Sequence, residues 1–101
     1  MRSRYSAYAL HLVDYVIDTT HPDNPQYMSD RVAWRRELEA FANGTQFIFL
    51  KIFDFTDGDK IAYVTFNASL LFRGRDASFT EKSTFLKEGD RWLYKFGEVS
   101  D

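Results

Sequence analysis

The chain has 101 residues, the length of one domain with a single hydrophobic core. Its formal net charge of −2 gives no overall electrostatic attraction to nucleic acid or to an anionic membrane. Ten phenylalanines and six tyrosines require an ordered interior or an interface, which excludes disorder as the dominant state. Because the chain has no cysteine, disulfides, thiolate zinc sites and thiol catalysis are also excluded.

The first predicted element is an amphipathic helix over residues 3–18, because the apolar side chains from Tyr5 to Val16 fall on one stripe at helical spacing. His21 precedes a proline and is therefore pushed out of the helical region, which ends the helix. We expect the His21 imidazole to cap the last carbonyl groups of this helix. The stretch 22–27, which contains two prolines, is predicted to be a loop.

A second helix is predicted to begin at Ser29 or Asp30, either of which can cap it, and to end at about Ala42. The following Asn43 and Gly44 stop it. From there the apolar period changes to two, which indicates strands. Four strands are predicted, over residues 47–55, 60–72, 77–87 and 91–96. Short Gly-containing turns join them, so we expect an antiparallel meander with both helices on one face.

Three separated blocks of residues carry a resemblance to a known family. They are Arg2-Ser3-Arg4-Tyr5-x-x-Tyr8 with Asp14-Tyr15 and His21-Pro22; Val64-x-Phe66-x-Ala68; and Glu81-x-Ser83-x-Phe85 followed by Gly89-x-x-Trp92-x-Tyr94. Over nearly its whole length, the chain resembles the YchJ-like bacterial proteins. The resemblance implies an α+β cone of the nuclear-transport-factor-2-like (NTF2-like, cystatin-type) class, with two N-terminal helices packed on a curved four-stranded antiparallel sheet. It implies no activity, and the Cys-rich zinc modules of longer members are absent from this sequence.

Glu81 is the most interesting titratable residue, because strand alternation places it on the same face as Ser83 and Phe85. A carboxyl group in an apolar setting must be paired, hydrogen-bonded or neutral. One interpretation makes Glu81 a general acid/base or a ligand anchor in a cavity between the first helix and the sheet. The other makes it a structural acid that is satisfied by Arg2, Arg4 or a helix tyrosine.

The remaining site candidates surround the same predicted cavity. An arginine fork flanked by phenols is suited to holding a carboxylate or a phosphate, but it can equally hold Glu81 or lie over aromatic rings. If the large apolar side chains leave a pocket of roughly 300 Å³ or more that contains Glu81, a ligand-binding function is favoured. The candidates are Arg4, Tyr5, Tyr8, Tyr15, Trp34, Phe66, Glu81, Ser83 and Trp92.

Common enzyme signatures are missing from the chain. No nucleophile elbow, phosphate loop or dinucleotide fingerprint occurs, so no catalytic residue and no cofactor is predicted. His11 and His21 lack the spacing of metal ligands, and Asp57-Gly58 is a turn signal rather than part of a calcium loop. We therefore expect no metal site.

The predicted function is that of a small cytoplasmic binding or protein-interaction domain occupying residues 1–101, without a membrane or nucleic-acid partner. The alternative is an enzyme or small-molecule binder that uses the cavity beside Glu81. A homodimer is also expected, because strict alternation puts Phe47, Phe49, Phe53 and Phe55 together on the outer face of the sheet. The same alternation assigns Ile48, Leu50 and Ile52 to the core.

Overall fold

The computed structural model describes residues 2–100 and has an α+β architecture, as predicted. The helices are α1 (Arg2–Ala9), α2 (Val13–Asp18) and α3 (Arg31–Gly44). The strands are β1 (Thr45–Thr56), β2 (Ile61–Phe72), β3 (Arg75–Asp76), β4 (Phe79–Glu88) and β5 (Arg91–Ser100). The main sheet is antiparallel with the order β1-β2-β4-β5, and the two-residue β3 pairs with β2.

The predicted first helix is in fact two helices, separated at Leu10–Leu12. His11 adopts a positive φ of 60°, and its N–H donates to the Tyr8 carbonyl oxygen at 3.1 Å. The Leu12 N–H donates to the carbonyl oxygen of Ala7 at 2.7 Å, which completes a Schellman termination of α1. The prediction of one continuous helix was wrong because an amphipathic stripe does not reveal a left-handed residue that ends the helix.

The second predicted helix is α3, and its start is confirmed at Asp30, whose carboxylate accepts a hydrogen bond from the Ala33 N–H at 3.1 Å. The helix includes Gly44 and leads straight into β1, so the predicted end at Ala42 was two residues early. The segment between α2 and α3 adds one parallel bridge to the edge of the sheet, through Thr20 and Tyr94. This bridge fixes the helical layer against β5.

The core lies between the helices and one face of the sheet. Alternate residues of β2 supply most of it, together with Phe85 from β4; the β2 members are Ala62, Val64, Phe66, Ala68 and Leu70. The period-two burial of β2 is that of a strand with one covered face. Within residues 2–100, no helix is both long enough and apolar enough to cross a membrane.

Two β-bulges in β1 change which phenylalanines face the helices. The register shifts between Phe47 and Phe49 and again between Ile52 and Asp54. Phe47 therefore pairs with the buried Leu70 and packs on the core, whereas Ile48 is exposed. Each bulge adds one residue and reverses the alternation that follows it.

The prediction that four phenylalanines share the outer face of the sheet was consequently wrong for two of them. Phe47 lies on the helix side, and Phe55 pairs with Val64, which also belongs to that side. Phe49 pairs with the outward-facing Ser69, and the Phe53 ring lies 5.3 Å from the ammonium nitrogen of Lys51. Of the four predicted phenylalanines, Phe49 and Phe53 remain on the outer face.

Candidate functional site

The main cavity lies between α1, α3, the loop before α3 and the helix side of the sheet. Its volume is about 620 Å³, within the range of small-molecule sites. Most of its wall is aromatic or aliphatic, and Trp34 and Phe66 contribute to it without filling it. The cavity therefore exceeds the volume of roughly 300 Å³ at which a ligand-binding function was expected to be favoured, and Glu81 lines it.

Glu81 lies on the helix side of β4, directly opposite Phe66, and lines this cavity. Its Oε2 atom accepts hydrogen bonds from the Ser83 hydroxyl at 2.5 Å and from the Tyr94 hydroxyl at 3.0 Å. The expected partners of this carboxylate were Arg2, Arg4 and the tyrosines of the first helix, but the sheet supplies both donors instead. Two neighbouring strands therefore hold the carboxylate in a fixed orientation.

Gly97 on β5 makes room for this arrangement. A Cβ atom at position 97 would lie 2.5 Å from the Glu81 carboxyl carbon and would also collide with the Tyr94 hydroxyl. Both contacts would be closer than van der Waals radii allow. The backbone of Gly97 cannot move away easily, because it pairs with Ser83 in the β4–β5 ladder. A glycine inside a strand often marks such a close approach.

Arg4 is buried in the helical layer and binds the C-terminal end of α2. Its Nη1 atom donates to the Val16 carbonyl oxygen at 3.1 Å and to the Thr19 hydroxyl at 2.7 Å. The guanidinium carbon lies 4.7 Å from the centroid of the Tyr94 ring, in cation–π contact. Burial lowers the pKa of this guanidinium, and Arg4 has no direct ion pair among residues 2–100.

The phenols around the cavity are desolvated. Burial raises the pKa of Tyr5 and of Tyr8. The pKa of Tyr94 is also raised, first by burial and then by the Glu81 carboxylate. The Tyr5 hydroxyl is buried and has no hydrogen-bond partner within the described part of the chain. An unsatisfied buried hydroxyl costs roughly 1–3 kcal/mol, so this group favours a partner inside the cavity.

Tyr15 and Trp92, which were also predicted site residues, do not line the main cavity. A second cavity of about 490 Å³ is lined by Tyr15 and Trp92, and Arg4 lines both cavities. The Tyr15 hydroxyl donates to the Ser3 hydroxyl at 2.8 Å, at the surface. Ser83 is fully buried, so its hydroxyl contacts Glu81 but is out of reach of a ligand.

His21 does not cap a helix, contrary to prediction. Its Nε2 atom lies 2.8 Å from Glu88 Oε1, and its Nδ1 atom accepts the Asp23 N–H at 3.0 Å. The carbonyl groups at the end of α2 are instead bound by the Thr19 and Thr20 hydroxyls and by arginines. Glu88 ends β4, so the tertiary fold is needed to bring it to His21, and the sequence alone did not show this contact.

Sequence reasoning missed Tyr94 and Gly97 as parts of the site. Tyr94 ends the motif Gly89-x-x-Trp92-x-Tyr94, so its presence in that block was the available signal. Gly97 had only the weak signal of a glycine that follows a predicted strand.

Comparison with known proteins identifies the family. A family profile described as "YchJ, middle NTF2-like domain" matches residues 1–97. The chain belongs to this family. A curated relative, the UPF0225 protein YchJ of Shigella dysenteriae serotype 1 (strain Sd197), is 36% identical over 96 residues. That match covers 93% of this chain but 60% of the relative, so the YchJ-like domain described here spans less than two thirds of the Shigella protein.

Solved structures share the fold of this YchJ-like domain. A SEC-C motif containing protein from Rhodopseudomonas palustris, determined in solution, is 30% identical with a TM-score of 0.83. The alignment covers all of this chain and 76% of that protein. A sec-c motif containing protein from Psychrobacter arcticus is 26% identical with a TM-score of 0.74, covering all of this chain and 59% of the other. The predicted NTF2-like class is confirmed, with three helices and five strands in place of two and four.

Proposed function

We propose that this YchJ-like domain binds a small, largely aromatic molecule in the main cavity, through a hydrogen-bond donor on the ligand that contacts Glu81. The observation that carries the proposal is a fixed carboxylate in an apolar cavity of about 620 Å³. Ligand sites are typically apolar clefts in which a few polar groups set the orientation of the ligand.

The charges that line the main cavity favour a cationic donor. Arg4 is the only basic residue among them, whereas Glu37 and Glu81 are both acidic, which leaves one excess negative charge. The Nη1 atom of Arg4 is already bound to the end of α2. The Oε1 atom of Glu81 makes no hydrogen bond within residues 2–100, so it is available to accept one from a ligand. An amine or amidine on an aromatic ring has the matching chemistry.

Binding is favoured over catalysis because the polar groups that meet here are engaged with one another. The Ser83 hydroxyl beside the carboxylate is fully buried, so a substrate cannot reach it. The Tyr94 hydroxyl donates to Glu81, and its raised pKa keeps it protonated near neutral pH. These residues hold an acceptor in place and do not form an accessible pair of nucleophile and base.

The experiment is an amide chemical-shift titration with naphthylmethylamine as the cationic probe and naphthalenemethanol as its neutral counterpart. We expect saturable shifts at residues lining the main cavity and a Kd at least about tenfold weaker in Glu81→Gln, since a hydrogen bond to a charged group is lost. Glu98→Gln is the matched control, because Glu98 is exposed and does not line this cavity. Equal affinity of the amine for Glu81→Gln and for the unchanged protein would refute the proposal.

A protein-interaction function is the second candidate, and we propose a second copy of the chain as the partner. Phe49, Phe53 and Phe96 are each between 42% and 60% exposed on the outer side of the sheet. Lys51 near one edge of this face and Glu98 at the other have opposite charges. A two-fold arrangement can therefore bring each lysine to the glutamate of the second copy while covering the rings.

Sedimentation equilibrium at micromolar concentration tests the self-association. The expected mass is about twice the 11.9 kDa of one chain, and Phe49→Lys should shift it toward the monomer, because a charge inside an apolar contact lacks a partner. Phe55→Lys is the control, since Phe55 is equally exposed but belongs to the helix side. A monomeric mass throughout that concentration range would exclude the dimer.

A further inference from the structure

The second cavity has a charge balance opposite to that of the main cavity. It is lined by two basic residues, Arg4 and Arg91, and by one acidic residue, Asp57, which leaves one excess positive charge. The main cavity has one basic and two acidic residues in its wall. The two cavities share Arg4, so the difference in net charge comes from Glu37 and Glu81 in the main cavity and from Arg91 and Asp57 in the second.

Both guanidinium groups that line the second cavity bind backbone carbonyl oxygens at the end of α2. Arg4 donates to the carbonyl oxygen of Val16 at 3.1 Å, and Arg91 donates to that of Asp18 at 2.7 Å. Both carbonyl groups belong to the last turn of α2. Neither arginine forms an ion pair among residues 2–100.

Two cations that line one cavity and lack a carboxylate partner within residues 2–100 favour an anionic ligand. Each guanidinium has five N–H donors, and the hydrogen bonds in the described part of the chain use one nitrogen of each. A carboxylate, sulfonate or phosphate matches the remaining donors in geometry and charge. Asp57 follows β1 and Arg91 begins β5, so the one acidic residue is at the opposite edge of the sheet.

Four aromatic side chains contribute to the rest of the cavity wall, and two of them are incompletely covered. Phe55 and Tyr15 line it, yet they are 60% and 42% exposed. Trp92 and Phe85 complete the aromatic wall. A flat apolar group in this space would remove these rings from water while its anionic substituent contacts the arginines.

We propose that the second cavity is a binding site for aromatic carboxylates, with the carboxylate held between Arg4 and Arg91. This site shares Arg4 with the main cavity but takes a ligand of opposite charge. The two binding hypotheses therefore have separate probes and can fail separately.

The test is an amide chemical-shift titration with naphthoate, compared with naphthalenemethanol at the same pH and salt concentration. We expect saturable shifts at second-cavity residues, including the Trp92 indole N–H, and a Kd at least about tenfold lower for naphthoate than for the alcohol, because only the acid makes charged hydrogen bonds. Arg91→Gln should weaken naphthoate binding by about tenfold, whereas Arg91→Lys, which keeps the charge, should weaken it less.

Arg36→Gln is the matched control, because it removes the same charge from an exposed residue that lines neither cavity. The comparison of acid with alcohol uses the unchanged protein and does not depend on the folding of any variant. Equal affinities for the acid and the alcohol, no saturable shift, or shifts confined to the main cavity would each overturn the proposal.

Discussion

The contact between Ser83 and Glu81 can be tested through its effect on stability. Replacing Glu81 with leucine removes the acceptor for a fully buried hydroxyl, whose oxygen lies 2.5 Å from the carboxylate. A buried donor that loses its acceptor costs about 1–3 kcal/mol. The Tyr94 hydroxyl also loses its acceptor, but water in the adjoining cavity can replace it. We therefore expect Glu81→Leu to lower the free energy of unfolding by about 2 kcal/mol.

The double variant tests whether the hydrogen bond between Ser83 and Glu81 stabilises the fold. Ser83→Ala alone should cost about 1 kcal/mol, because Glu81 keeps its hydrogen bond from Tyr94. In Glu81→Leu/Ser83→Ala the buried Ser83 hydroxyl is absent as well, so the double variant should cost less than the sum of the single changes by about 1–2 kcal/mol. Urea unfolding followed by tryptophan fluorescence measures all four proteins. Additive costs, within about 0.5 kcal/mol, would show that the contact does not stabilise the fold.

Three further predictions concern other parts of the molecule. The pKa of Tyr94 is raised in the folded protein, so the folded state favours the protonated phenol. The free energy of unfolding should therefore fall as the pH rises above about 10, where the tyrosine of the unfolded chain ionises first. Circular dichroism should show a smaller fall in Tyr94→Phe. His11→Gly should raise the free energy of unfolding by about 0.5–1 kcal/mol in urea titrations, because glycine adopts the positive φ at this position without strain; a loss of stability would contradict this account of the α1 end. Arg4→Met should cost less than about 1.5 kcal/mol of stability, because the Val16 carbonyl oxygen keeps its hydrogen bond from the Thr20 hydroxyl. The same change should weaken naphthoate binding by about tenfold or more. Unchanged naphthoate affinity would remove Arg4 from the proposed site.

Features that depend on local chemistry could be predicted from the sequence. The cap at Asp30 and the turn at Gly89, which has a positive φ of 61°, both follow from residue preferences. The helix-facing sides of β2 and β4 follow from alternation, because these two strands pair without a register shift. This was sufficient to place Glu81 on the face of its strand that also carries Ser83 and Phe85.

Features that depend on an irregularity in the backbone could not be predicted in the same way. In β1, each bulge adds one residue, and the sequence Phe47-Ile48-Phe49 contains no glycine or polar residue that marks it. The register shift in β5 between Phe96 and Tyr94 has the same consequence, and it brings Gly97 onto the face occupied by Glu81. Long-range partners such as His21 and Glu88 likewise depend on the assembled fold, since 67 positions separate them in the sequence.

The three sequence blocks that carry the family resemblance meet in one cluster, which gives their residue types a physical explanation. Arg4, from the first block, lies over the ring of Tyr94, from the third. The hydroxyl of that tyrosine fixes Glu81, which pairs across the ladder with Phe66, from the second block. A lysine in place of Arg4 would lack the planar group that stacks on the ring. A phenylalanine in place of Tyr94 would remove one of the two hydrogen bonds that orient the carboxylate. The shared residues thus connect the helical layer to the sheet and hold Glu81 in the wall of the main cavity, so one cluster serves both the fold and the proposed site.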